Sequence, residues 1–120
     1  MKQKRVADLY RFLSVASMKR MTDDEKVAFI RLLRTMKPLC MELQSAVDDA
    51  IIKAREETDD QQKVVALVNK AVADIAERDC DVNIQTMSAE AFDRLSLSND
   101  WSFAQIDELE AELVEKKNGE

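Results

Sequence analysis

Histidine is missing altogether from these 120 residues, and glycine and proline occur once each, as Gly119 and Pro38. Without histidine there is no Ser-His-Asp or Cys-His nucleophile, although residue type alone leaves a lysine or carboxylate base open. The usual zinc constellations go with it, since Cys40 and Cys80 form no CxxC pair. Both cysteines are read as reduced, buried thiols. A single glycine at the tail cannot build a phosphate-cradling loop. Scarce glycine and proline also remove the residues that tight hairpins need, so an all-β or βαβ fold is not expected. No run approaches the roughly 18 apolar residues of a membrane span. The basic opening, Met1 to Arg5, is followed by Asp8 and Arg11, which break the apolar run of a signal peptide. A cytoplasmic protein without metal or cofactor is the expectation.

What is present is helical patterning. The chain is 46% hydrophobic and 35% charged, and its length suits one helical domain, residues 1–120, burying somewhat under about 70% of its unfolded surface. The organising stretch is residues 22–57, where Phe29, Leu33, Met36, Cys40, Leu43, Val47, Ala50 and Ala54 recur at steps of four and three. This is a seam of heptad type that keeps phase through Pro38. A proline inside a helix costs about 3 kcal/mol, whereas each buried Leu, Phe or Met returns roughly 1.5 to 3 kcal/mol, so one long helix kinked at Pro38 is expected. The rival is a break, with Pro38 in the first turn of a new helix.

The remaining segments close the bundle. Val6, Leu9, Tyr10 and Leu13, flanked by Phe12 and Val15, predict a short helix over residues 4–16. Thr22 and Glu25 form a capping box at the start of the long helix. Thr58 or Asp59 is expected to cap a third helix, about 60–77, with a broad face of Val64, Val65, Leu67, Val68, Val72 and Ile75. Valine is a mediocre helix former, so this segment depends on packing. Residues 79–87 alternate polar and apolar, as a strand would; with no partner strand, an extended connector with Val82, Ile84 and Met87 turned inward is preferred. Ser88 opens a short helix bearing Phe92 and Leu95, and Ser102 with Gln105 opens a last one bearing Phe103, Ile106, Leu109 and Leu113. Lys116, Lys117 and Asn118-Gly119 suit its end. The fold class is all-α: a bundle built on the long helix packed antiparallel to the third, with short terminal helices.

Charge is distributed unevenly. Residues 1–37 hold ten Lys/Arg against four acids, and the rest hold eight against twenty, so a front of +6 precedes a remainder of −12. Lys26, Arg31, Arg34 and Lys37 fall opposite or beside the seam, with Lys19 and Arg20 just before it, and these six are the candidate interaction surface. Such a surface can hold phosphates. The acidic pairs Asp48/Asp49, Glu56/Glu57 and Asp59/Asp60, with Asp79/Asp81, have no metal-loop spacing and read as solvated faces and caps. The seam, about 37 Å long at 1.5 Å per residue, exceeds what the third helix covers, which leaves room for contact with a second copy or another protein. Met18, Met21, Met36 and Met41 suit either an adaptable contact or a core.

The order Leu9-Tyr10-Arg11-Phe12-Leu13-Ser14, Lys26-Val27-Ala28-Phe29-Ile30-Arg31, Met36-Lys37-Pro38, and a late Leu97, Trp101-Ser102, Ile106 and Leu109 resembles small all-α proteins encoded by phages and prophages. The resemblance implies an accessory part in phage assembly or packaging and carries no site residues across. The expectation is a non-enzymatic protein that binds another protein or itself; the alternative is a nucleic-acid-associated protein using the basic face. No small-molecule substrate and no membrane is inferred.

Overall fold

Helix forms wherever the apolar period holds. The computed structural model describes residues 1–115, with five helices: α1 (Gln3–Leu13), α2 (Asp23–Glu57), α3 (Gln61–Ala76), α4 (Ala89–Leu97) and α5 (Phe103–Leu113). Lys116, Lys117 and Asn118-Gly119 lie outside the described residues. The architecture is all-α, and no strand occurs among the described residues; residues 79–87 are a connector that makes only two isolated bridges, Lys2 with Asp79 and Met87 with Val114.

α2 is one continuous helix of 35 residues with Pro38 inside it, so the reading in which Pro38 opens a new helix is set aside. Burial explains the tolerance: of the seam, Phe29, Met36, Cys40, Leu43, Ala50 and Ala54 are buried and Leu33 and Val47 half-buried, while Pro38 itself faces solvent. Leu32 is buried more deeply than Leu33.

The described chain packs as two compact units. The first comprises Met1–Phe12 and Thr35–Val82. Here α2 and α3 form an antiparallel hairpin: Cys40 and Leu43 share a cluster with Val72, Ile75 and Ala76, whereas Ala50 and Ala54, farther along α2, lie beside Leu67 and Ala71, earlier in α3. Ala7 and Tyr10 of α1 complete the cluster. α1 is pinned by Gln3, the one buried polar residue among those described: its N–H donates to the Arg78 carbonyl at 2.8 Å, and its Nε2 donates to the Leu39 carbonyl at 3.1 Å. The first bond satisfies an amide at the start of α1 that no helical carbonyl can reach. Cys80 N–H donates to the Met1 carbonyl at 2.7 Å, closing a short pairing between the two segments. Both thiols are free; Cys40 is buried, and Cys80 is half-buried rather than buried.

The cap of α3 differs from expectation. Asp60 is the N-cap, accepting from Gln62 N–H at 3.0 Å, while Thr58 Oγ1 accepts from Asp60 N–H at 3.1 Å. Three capping residues stand in a row, and the last wins because the short Asp side chain reaches the amide two residues on.

The second unit comprises Leu13–Arg34 and the described residues from Asn83 onward. Ser88 caps α4, accepting from Ala91 N–H at 3.2 Å, and Ser102 and Gln105 form the expected capping box of α5. Ile84, Met87, Phe92, Leu95, Leu109 and Leu113 are buried. Phe103, expected on the apolar face of α5, is 82% exposed, and at about 100° per residue it stands about 120° around the helix from buried Leu109; Val15, expected beside the first helix, lies past its end and is likewise exposed.

Candidate interaction surfaces

Five of the six basic residues belong to the second unit. Lys19 and Arg20 are exposed in the turn before α2, Lys26 is half-buried in its first turns, and Arg31 and Arg34 are exposed farther on. Lys37 is exposed on the part of α2 that belongs to the first unit. At about 100° per residue, the four on α2 fan over an arc of about 140° centred away from the seam.

The turn carrying Lys19 and Arg20 is held by backbone bonds that no periodicity reveals. Asn99 Oδ1 accepts from Ser17 N–H at 2.8 Å, and its Nδ2 donates back to the Ser17 carbonyl at 2.9 Å. Ser98 Oγ accepts from Arg20 N–H at 2.8 Å. The Ser98 and Asn99 side chains, just past the end of α4, therefore fix the turn through its backbone.

At the start of α2 the capping box forms as expected: Glu25 N–H donates to Thr22 Oγ1 at 3.3 Å, and Thr22 N–H donates to Glu25 Oε1 at 2.9 Å. The same carboxylate receives a two-pronged ion pair from Arg94 of α4, whose Nε donates to Oε1 at 2.7 Å and whose second guanidinium nitrogen donates to Oε2. The Glu25 side chain is only 14% exposed. Hydrogen bonding from Arg94, aided by the Thr22 amide and opposed by burial, holds the Glu25 carboxyl from 4.5 down to about 2. Glu25 raises the Arg94 guanidinium in turn.

A carboxyl more acidic in the folded chain than in the unfolded one stabilises the fold above its unfolded value. That contribution is lost as pH falls through the folded value. Glu25→Gln is therefore expected to lower unfolding stability by about 1 to 2 kcal/mol near neutral pH, a charge-assisted pair discounted for partial solvation. The difference between the two chains should shrink as pH is lowered from 4.5 toward about 2. Urea unfolding of both chains across that range checks it.

Beside this pair lies a half-open cavity of about 270 Å³, lined by the apolar Met21, Phe29, Leu32 and Met87 and bordered by the carboxylates of Asp24, Glu25 and Glu115. Among the described residues, no histidine, cysteine or lysine lines it. Its chemistry is that of a receptacle for an aliphatic group, with acids at the rim.

In the first unit, α3 is poorly covered. Of its sixteen residues only Val64 and Ala76 are buried; Val68, Val72 and Ile75 are half-buried, and Val65 and Leu67 are 48% and 39% exposed. A shallow groove of about 320 Å³ runs between α2 and α3. Ala50 and Ala54 of α2 and Leu67 and Ala71 of α3 supply its apolar lining, and Lys53, Glu57, Lys70 and Asp74 its charges. A second depression, lined by Glu57, Thr58, Lys63, Ala66 and Leu67, adjoins it at the hairpin turn. Sequence periodicity identified the apolar residues of α3 but not that, of the six it named, Val65 and Leu67 stay exposed and Val68, Val72 and Ile75 only half-buried.

Among the described residues, no group of three or more His, Cys, Asp or Glu side chains is placed to hold a metal ion, and no helix is long and apolar enough to cross a membrane. Comparison with protein-family models, with curated proteins and with solved structures finds no match. Fold and surfaces together define the class, an all-α protein with a partly uncovered helical hairpin.

Proposed function

We propose that this chain is a non-enzymatic protein-interaction or assembly protein whose contact surface includes the outer side of the α2–α3 hairpin. One observation carries the reading. α3 is a sixteen-residue helix rich in valine, yet only two of its residues are buried within the chain. A helix of about this length is marginal in water on propensity alone and takes its stability from packing of an apolar face. A protein partner covering Leu67 and its neighbours would supply the missing burial. The resemblance to small phage proteins sets such a contact in an assembly or packaging complex acting in the cytoplasm.

Nucleic-acid binding along Lys19, Arg20, Lys26, Arg31 and Arg34 is the second reading. It is the weaker one, because the same unit carries Asp107, Glu108, Glu110 and Glu112 on α5 and the acidic rim of the cavity, which oppose a polyanion.

A photo-crosslinking residue placed at position 67 tests the main reading in cells that express the chain. The expected result is a discrete protein adduct, absent when the crosslinker stands at exposed Asp107 instead. No adduct at either position, or equal adducts at both, would count against a contact on the hairpin.

A further inference from the structure

We draw no further inference here: the strongest candidate, the half-open cavity of the second unit between the first turns of α2 and α4, has walls of Met21, Phe29, Leu32 and Met87 that are already buried and an acidic rim that by itself names no ligand, and nothing in the structure shows what fills it.

Discussion

Phe92→Ala is expected to cost about 3 to 5 kcal/mol of unfolding stability, the range for removing a fully buried phenyl ring and leaving a cavity. Phe92 is among the largest fully buried side chains, with Phe29. α4 has only nine residues, too few to persist without packing, and Ala91, Phe92 and Leu95 are its buried face. Losing the ring loosens the helix that presents Arg94 to Glu25 and the Ser98-Asn99 pair to the turn at residues 17–20. The variant should therefore show two readouts. Urea unfolding should have a lower midpoint, and the acid-sensitive contribution of Glu25 should diminish, because its carboxyl is no longer held near 2 by a fixed guanidinium. A midpoint within experimental error of the unaltered chain would mean that α4 does not rely on this ring.

The second large effect is expected at Leu43, where replacement by alanine should cost about 2 to 5 kcal/mol. The buried cluster that joins α1, α2 and α3 consists of Ala7, Cys40, Leu43 and Ala76, with Tyr10, Val72 and Ile75 partly buried around it. Leu43 is the only large side chain among the four buried members, so its truncation removes most of the buried volume they supply. The consequence should be uneven along the chain. Amide exchange should accelerate most over Gln61–Ala76, since α3 has few other buried contacts to hold it on α2. Val65→Ala, at a position nearly half exposed, should change stability by less than about 0.5 kcal/mol and serves as the matched control.

Much of the fold was legible because its signals are local. Thr22 with Glu25, Ser88, and Ser102 with Gln105 marked helix starts, since a cap is decided by residues three apart. The seam through Pro38 was legible for a related reason: a phase kept on both sides of a proline reports burial strong enough to outweigh one lost hydrogen bond. Where the reading slipped, neighbouring residues offered equivalent chemistry. Thr58, Asp59 and Asp60 can each cap, and the three-residue step from Phe103 to Ile106 suggests one face although Phe103 stands about 120° around the helix from Leu109. What the sequence did not reveal is long-range pairing. Glu25 and Arg94 are 69 residues apart, and Ser17 and Asn99 are 82 apart. Nothing in either neighbourhood announces the other. Gln3 is a similar case, an unremarkable polar residue that becomes buried because two carbonyls far along the chain come to meet it.

Of the six basic candidates five are exposed and Lys26 is half-buried, whereas the mixed charges that line the groove were not read as a set. In the sequence, Glu57 belongs to an acidic run and reads as a solvated face. Its relation to Lys70 and Asp74 exists only once α3 folds back antiparallel to α2.

The central claim is that the partly covered α2–α3 hairpin is a contact surface. It is tested most directly by the photo-crosslinking residue at position 67, with position 107 as its control. The account predicts a discrete protein adduct from position 67 and none from position 107. No adduct at either position, or equal adducts at both, would contradict it.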